Sequence, residues 1–194
     1  MRLLRACVRL GGLLFALASC QGPTPDAASC EGQPRARCVR SVSVGGRFAC
    51  AALRDQSVWC WGRNDENQLG YESSDLCPER LANGQTRAVA CHSYPLQVVG
   101  LPRVVALSAG GAHVCAVLAT GELRCWGSNA RGQLGNGSTL PSRAPVAVGG
   151  FGRVVSVAAG ALHTCVAVKT GEVFCWGAND RGQLDARGAL SACV

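Results

Sequence analysis

Cysteines give this chain of 194 residues most of its chemistry, because there are 13 of them. Three pairs share one spacing, in which the two members are ten positions apart. These pairs are Cys50 with Cys60, Cys115 with Cys125, and Cys165 with Cys175. A histidine precedes the second and third pairs, at His113 and His163, and Phe48 takes its place before the first. Two chemistries fit this pattern: a cross-strand disulfide, or a zinc site of one histidine and two thiolates.

The residues between the cysteines favour disulfides. Residues 113–118 and 122–126 are β-rich, and residues 119–121 (Ala-Thr-Gly) between them predict a three-residue hairpin turn. Centring the hairpin on Thr120 places Cys115 opposite Cys125 in a non-hydrogen-bonded pair, where side chains approach most closely. A disulfide explains all three copies, whereas zinc needs a histidine that the first copy lacks. We therefore expect three hairpin disulfides and no metal or other cofactor.

The paired cysteines belong to a longer repeat, marked by Trp61, Trp126 and Trp176. Each tryptophan follows a cysteine and so points to the opposite face of its strand. We expect these rings to pack between neighbouring repeats; the alternative is an aromatic platform for a ligand. The turn of the first copy lacks the glycine of the others, because residues 54–56 read Arg-Asp-Gln, and we expect it to be less regular.

Further strands are predicted around each hairpin. Residues 104–107 and 154–157 read as buried strands that precede the second and third hairpins, and each ends in a bend of small residues. A fourth short strand is expected over residues 145–148. Four strands in a repeat of about 50 residues are typical of a β-propeller blade.

The repeated pattern VxxxAxGxxHxCAVxxTGExxCWGxNxxGQLG resembles the regulator of chromosome condensation repeat family over residues 39–194. The resemblance implies a β-propeller, which in this family commonly has seven blades. The repeats divide as 39–102, 103–152 and 153–194, so the expected fold is all-β with about three blades, as an open arc or a fragment of a seven-bladed ring. The third repeat departs from the pattern at Asp185, where a glycine is expected. The nucleotide-exchange activity of the family's eukaryotic namesake is not carried over, because nothing here matches its interaction surface.

The N-terminus reads as an export signal over residues 1–19. Three arginines precede an apolar run too short to span a bilayer as a permanent helix. The segment ends in Leu-Ala-Ser before Cys20, which resembles the bacterial lipobox and predicts diacylation of Cys20; the alternative is an ordinary cleaved signal. Residues 20–38 then read as a tether rich in Pro, Gly and Ala. The predicted location is the bacterial cell envelope, at the outer membrane or cell surface, with the lipid as anchor.

An insertion between Tyr71 and Tyr94 distinguishes the first repeat. It contains Cys77 and Cys91, which pair most simply with each other. Cys30, Cys38 and Cys193 remain, and their pairing stays open. We interpret the insertion as a partner-binding loop, and the alternative is a tolerated surface insertion. Its mixed polar residues are suited to gripping a protein partner: Glu79, Arg80, Arg87, His92 and Tyr94.

Composition and motifs exclude several functions. The formal charge of +7 comes from scattered arginines, without a basic stripe of interleaved aromatics, so we expect no nucleic-acid binding. The motifs GxSxG and HExxH are absent, and so are paired carboxylates at a meaningful spacing, so we expect no enzyme. The prediction is an exported, lipid-anchored protein-binding module of unknown partner, able to self-associate through its incomplete ring. The alternatives are a structural envelope component without a specific ligand, or a degenerate, truncated gene product.

Overall fold

The computed structural model describes residues 38–184, which form strands and turns without a helix, and this confirms the all-β class. None of these residues forms the long apolar helix that would be needed to cross a bilayer. Twelve strands run through the described residues: β1 (Val39–Val44), β2 (Phe48–Leu53), β3 (Val58–Arg63), β4 (Leu76–Arg80), β5 (Thr86–Gln97), β6 (Val104–Ala109), β7 (His113–Leu118), β8 (Leu123–Gly127), β9 (Ser142–Val148), β10 (Val154–Ala159), β11 (His163–Val168) and β12 (Val173–Gly177).

The strands form three antiparallel sheets, one for each repeat. Their orders are β1-β2-β3-β5-β4, β6-β7-β8-β9 and β10-β11-β12. The first strand of each later repeat packs against the sheet before it, since β6 contacts β1 and β2, and β10 contacts β6 and β7. The result is a row of successive propeller blades, as the repeat pattern predicts.

The register of the three hairpins agrees with the register read from the sequence. Val117 lies opposite Leu123 and Cys115 opposite Cys125, and the other two repeats have the same register. The turn residue Gly121 adopts a φ of 88°, and its N–H donates to the Leu118 carbonyl over 2.8 Å. A left-handed residue at this place lets two twisted strands join through a short loop.

The turn of the first repeat is as regular as the others, so the expectation of a less regular turn was wrong. Gln56 takes the left-handed conformation that glycine takes elsewhere, with a φ of 71°, and its N–H donates to Leu53 over 3.0 Å. The Asp55 carboxylate accepts from the backbone N–H of Ser57 over 3.0 Å. This side-chain contact holds the turn without glycine, because Asp can hydrogen-bond the backbone two residues on.

The fourth strand of the second repeat is present and longer than expected. It is β9, which begins at Ser142 and ends at Val148, and it pairs with β8. The extra residues before Pro145 join the sheet beyond an irregularity in the register between Cys125 and Gly127. The corresponding strand of the first repeat is part of β5.

The insertion is a β-hairpin, which corrects its description as a loop. β4 pairs with β5 over Leu76–Arg80, and β5 is 12 residues long, long enough to pair with β3 of the blade as well. One strand therefore belongs both to the blade and to the hairpin. The insertion is too long for a simple turn, and antiparallel pairing over five residue pairs provides hydrogen-bond partners for its backbone N–H and C=O groups.

Tryptophans pack the junctions between repeats, as expected. Trp126 is fully buried and its indole N–H donates to the Gln68 carbonyl of the preceding repeat over 3.1 Å. Trp176 is 3% exposed and donates in the same way to Gln133 over 2.9 Å. Trp61, which has no described repeat before it, is only half-buried. Two apolar clusters around Trp126 and Trp176 form the core of the described residues.

Candidate functional site

The candidate site is the insertion hairpin, β4 with the first half of β5, together with the edge of the first blade on which it rests. Side chains alternate between its two faces. Leu76, Pro78 and Arg80 lie on one face and are exposed, whereas Cys77 and Glu79 lie on the other and are partly buried. The first face is turned to solvent and the second to the blade.

Glu79 contacts three arginines, and two of them anchor the hairpin to the blade. Its side chain is 11% exposed. One carboxylate oxygen lies 2.7 Å from Arg63 and also contacts Arg47, while the other lies 2.7 Å from Arg87. Arg47 and Arg63 belong to the blade, so this carboxylate holds the hairpin to it. A carboxylate removed from water needs such compensation, because an unpaired charge at this depth is costly.

Arg63 is itself oriented by a second carboxylate. Its Nε donates to Asp65 over 2.7 Å. This hydrogen bond raises the pKa of Arg63 above its usual range, and the same bond lowers the pKa of Asp65 below that of a free aspartate. The pair therefore stays ionised at any physiological pH. Sequence reasoning missed Arg47 and Arg63, because both lie outside the insertion and meet Glu79 only in the folded chain.

The base of the hairpin is held by a disulfide and by backbone contacts. Cys77 and Cys91 are joined, with their Cα atoms 5.8 Å apart. The Ser73 hydroxyl donates to the Cys91 carbonyl over 2.7 Å, and the Cys91 N–H donates to the backbone carbonyl of Asp75 over 3.1 Å. A disulfide that closes a loop of this size contributes about 3 kcal/mol in the chain-entropy view.

His92 packs inward rather than presenting its ring to a partner. Its ring meets Tyr71 edge-on, with centroids 5.8 Å apart and an angle of 88°. Its Nδ1 lies 2.6 Å from the Tyr94 carbonyl and its Nε2 lies 3.5 Å from Asp75. The Tyr71 hydroxyl donates to the Cys60 carbonyl over 2.8 Å, and burial raises the pKa of Tyr71 to about 12. The His92–Tyr71 contact thus fixes the hairpin to the disulfide-bearing strand β3.

The five predicted contact residues therefore divide into two groups. Glu79 and His92 hold the hairpin in place, and Arg87 is half-exposed but paired with Glu79. Arg80 is exposed, and Tyr94 is 74% exposed. Leu76, which sequence reasoning did not single out, adds an apolar side chain that is 68% exposed.

A cleft lies beside the hairpin, at the junction of the first two repeats. Its volume is about 300 Å³. Its polar wall combines guanidinium and carboxylate groups, and its opposite wall is backbone of the second repeat. The lining residues are Gly46, Arg47, Arg63, Asp65, Glu66, Gln68, Gly111 and Ala112. The cleft shares Arg47 and Arg63 with the anchor of Glu79, so a ligand that entered it would compete for the contacts that hold the hairpin.

The cysteines considered for zinc are bonded to each other. The structure contains the disulfides Cys50–Cys60, Cys115–Cys125 and Cys165–Cys175, each with a Cα–Cα distance of 4.1 Å. A bonded sulfur offers no thiolate to a metal. Between residues 38 and 184 no group of three or more His, Cys, Asp or Glu residues is placed to hold a metal ion. Cys38 is disulfide-bonded too, and Cys30, Cys193 and the proposed lipid site Cys20 lie outside the described residues.

The chain belongs to the regulator of chromosome condensation (RCC1) repeat family. The family's repeat matches residues 55–117 and 120–167, more than half of the chain. A second description of the same repeat matches residues 39–68, 104–133 and 154–183, once in each blade. The three matches of the second description each cover the first three strands of one sheet, so sequence family and fold agree.

The relatives match this chain over a length of about two repeats. Human E3 ubiquitin-protein ligase HERC2 is 32% identical over 109 residues, which is 55% of this chain and 2% of that protein. Protein pim1 of Schizosaccharomyces pombe is 32% identical over 99 residues, covering 51% of this chain and 18% of that protein. Rat alsin is 39% identical over 88 residues, covering 45% and 4%. The chain spans less than a fifth of each of these relatives.

Solved structures show the same fold. Human WBSCR16 superimposes with a TM-score of 0.62 at 21% identity, over 73% of this chain and 34% of that protein. Yeast RCC1 (Prp20), solved with Kap60, gives a TM-score of 0.58 at 20% identity, over 73% and 32%. A second structure of Prp20p, from Saccharomyces cerevisiae, was described with its binding properties to Gsp1p and histones and gives 0.52 at 22% identity, over 63% and 29%. At such identities the likeness shows the fold alone.

Proposed function

We propose that this protein is an exported, lipid-anchored, non-catalytic module that binds a protein partner through the exposed face of its insertion hairpin. The observation that supports the proposal is that the hairpin is held in place on one face while the side chains of its other face are exposed to solvent. Glu79 and the Cys77–Cys91 disulfide fix its position. Leu76 and Arg80 project from the exposed face, and Tyr94 is exposed farther along β5; aromatic and arginine side chains are the types most enriched where proteins bind each other tightly.

Pre-organisation supports a binding role. A segment that is already ordered loses little conformational entropy when it meets a partner, so more of the contact energy appears as affinity. A tolerated insertion has no need of a disulfide and a carboxylate with three arginine partners. Prp20p, which shares the fold, was described with its binding properties to Gsp1p and histones. Those partners are not carried over to this chain.

Export and lipid attachment are proposed from the N-terminal sequence and are supported by the disulfides of the fold. Four disulfides between residues 50 and 175 suit an oxidising compartment. Cys20 is the proposed site of acylation, and residues 20–38 the tether, with the bacterial cell envelope as location. Self-association stays a prediction of the sequence.

A capture experiment tests the binding role. The full chain, and a variant with Leu76→Ser, Arg80→Ser and Tyr94→Ser, are compared in recovering proteins from the envelope of the producing cell. Leu140→Ser is the matched control, because Leu140 is 72% exposed in the second repeat, away from the hairpin. We expect one partner to be retained by the wild type and the control and lost by the triple variant. Equal recovery from all three, or no specific partner, would favour the structural envelope role.

Intact mass tests the anchor separately. Protein extracted from membranes is expected to begin at Cys20 and to carry the added mass of acyl chains. Substitution Cys20→Ala should leave the hairpin fold unchanged and release the protein from the membrane fraction. An unmodified N-terminus would refute lipid anchoring, and the proposed binding role of the hairpin would be unaffected.

A further inference from the structure

Each repeat has two faces, which we call the leading face, toward the preceding repeat, and the trailing face, toward the next. The structure contains two complete junctions, in which the trailing faces of repeats 1 and 2 meet the leading faces of repeats 2 and 3. The same three groups on the trailing face recur at both junctions. Each of the three is replaced at the equivalent position in the sequence of repeat 3.

The first group is a serine that joins neighbouring strands. The Ser43 hydroxyl oxygen accepts from the Ala109 N–H over 2.9 Å, and Ser108 accepts from Ala159 over the same distance. Both serines lie opposite the first hairpin cysteine of their own repeat. The residue in that register position of repeat 3 is Ala158, which has no oxygen to accept from a further repeat.

The second group is a glycine at the close approach of two backbones. The Gly46 N–H donates to the Gly111 carbonyl over 3.0 Å, and a Cβ at Gly46 would lie 2.7 Å from that oxygen. A Cβ at Gly111 would lie 2.5 Å from the carbonyl oxygen of Ala161. Such distances are too short for a carbon and an oxygen, so a side chain forces the backbones apart. Repeat 3 has Ala161 in this position, and its methyl group would stand where a further repeat must approach.

The third group is a glycine beneath the tryptophan of the next repeat. Gly70 and Gly135 both have positive φ, at 78° and 68°. A Cβ would lie 2.9 Å from the indole nitrogen of Trp126 at the first position and 2.5 Å from that of Trp176 at the second. The equivalent residue of repeat 3 is Asp185, just beyond the described residues. At positions 70 and 135 a side chain would collide with the indole ring and an L-residue would be strained at such a φ, and the sequence of repeat 3 has no glycine at this place.

The leading face of repeat 1, by contrast, is apolar and keeps its tryptophan. Val39, Val42 and Val44 are 55%, 57% and 71% exposed. The equivalent residues of repeat 2 pack against repeat 1, and Val104 among them is fully buried. Trp61 is half-buried and occupies the position from which Trp126 and Trp176 reach the repeat before them. One end of the array is therefore built like an internal junction and the other is not.

We propose that the trailing face of repeat 3 does not accommodate another repeat of this type. Copies of the chain consequently do not join head to tail, with the trailing face of one against the leading face of the next, even though the leading face alone would fit such a contact. Terminal repeats of repeat arrays commonly differ from internal ones and prevent open-ended association. The proposal is independent of the partner-binding role. An incomplete ring predicts self-association, and the proposal excludes the head-to-tail mode of it.

Restoring the three groups tests the proposal. The variant Ala158→Ser, Ala161→Gly, Asp185→Gly gives repeat 3 the trailing face of repeats 1 and 2. Sedimentation velocity over a wide range of protein concentration compares it with the wild type, and the N-terminal segment is the same in both. We expect the restored variant to associate at least about tenfold more tightly than the wild type, and a further Trp61→Ala substitution to abolish that gain.

Two results would overturn the proposal. If the wild type itself associates with increasing concentration and Trp61→Ala weakens that association, the native trailing face already accommodates a leading face. If the restored variant folds with the unfolding curve of the wild type and does not associate more tightly, the three residues are not what prevents the contact. The wild-type comparison with Trp61→Ala alone decides the first point even if the restored variant is poorly folded.

Discussion

The buried His113 makes the stability of this protein depend on pH, and a pair of substitutions should remove that dependence. His113 lies at the junction of repeats 2 and 3, with its Nε2 2.9 Å from the Thr164 hydroxyl. Phe48 and Val114 take the same places at the junction of repeats 1 and 2, where both are buried in one apolar cluster. The variant His113→Phe with Thr164→Val therefore copies a pair that the chain already uses.

Hydrogen bonding defines the protonation state of His113. The Thr164 hydroxyl donates its one proton to the Gln133 carbonyl over 2.8 Å. It must then accept from His113, so Nε2 carries the proton and Nδ1 carries a lone pair. The buried Nδ1 has no hydrogen-bond partner within the described part of the chain. Protonating it would create a buried charge with an unsatisfied donor, and burial, with a contribution from the nearby His163, lowers the pKa of His113 to about 4.

The sign and size of the effect follow from linkage. The unfolded chain takes up a proton at this histidine near pH 6.5, whereas the folded chain does so only near pH 4. Between these values the unfolded state binds more protons, so the free energy of unfolding decreases as the pH falls. The loss is about 2 kcal/mol at pH 5 and about 3 kcal/mol below pH 4, and the contribution is fully present above pH 6.5.

Urea unfolding at pH 7.5 and pH 5, with the disulfides intact, measures this loss. Wild type and double variant share every other titrating group, so the difference between them isolates His113. We expect the double variant to lie within about 1 kcal/mol of the wild type at pH 7.5, because replacing both partners of a buried polar pair by apolar groups is nearly neutral. At pH 5 the double variant should be the more stable by about 2 kcal/mol.

The single variant Thr164→Val provides a check on the hydrogen bond itself. It leaves the His113 N–H buried without an acceptor, so it should cost about 1–3 kcal/mol at pH 7.5, and adding His113→Phe should recover most of that. Equal loss of stability on acidification in wild type and double variant would refute the argument, since His113 would then be protonated as readily in the folded chain as in the unfolded one.

Three further predictions follow from single positions, each read by urea unfolding or hydrogen exchange. The amide nitrogen of the buried Gln133 has no hydrogen-bond partner in the described structure, whereas Gln68 and Gln183 donate to an aspartate three residues earlier. Ala130→Asp should restore that hydrogen bond and stabilise the protein by about 1 kcal/mol. Gly135→Ala should destabilise by about 2–4 kcal/mol through backbone strain and collision with the indole of the next repeat, while Gly132→Ala, with a similar φ and open space around it, should cost only about 1–2 kcal/mol. Glu79→Gln should make backbone amides of the insertion hairpin exchange at least about tenfold faster and leave those of β7 unchanged, because the neutral amide no longer binds three arginines.

Much of each blade could be predicted from the chain because its interactions are local. The hairpin turns, the opposition of Cys115 and Cys125 and the placement of Trp126 all depend on residues within about a dozen positions of each other. Alternation of side chains along a strand and the conformational demand of a short turn leave one register that pairs the cysteines. The same reasoning found the fourth strand of repeat 2, β9, but shortened it, since residues before Pro145 carry no β-rich signal.

The sequence by itself determined the repeats, their hairpins and the cysteine pairs within each hairpin, whereas the tertiary structure decided how the repeats pack against each other. Sequence reasoning could not place Glu79 beside Arg63, because the two lie 16 residues apart on β4 and β3, which are joined only through β5, and the pairing of β3 with β5 is irregular. Nor could it place His113 against Thr164, 51 residues away, or show that His92 faces inward. Those contacts depend on the packing of one sheet against the next and on the course of β5. Local periodicity carries no information about either. Residue type alone therefore suggested a partner-binding role for Glu79 and His92, whereas their tertiary contacts show that they hold the hairpin in place.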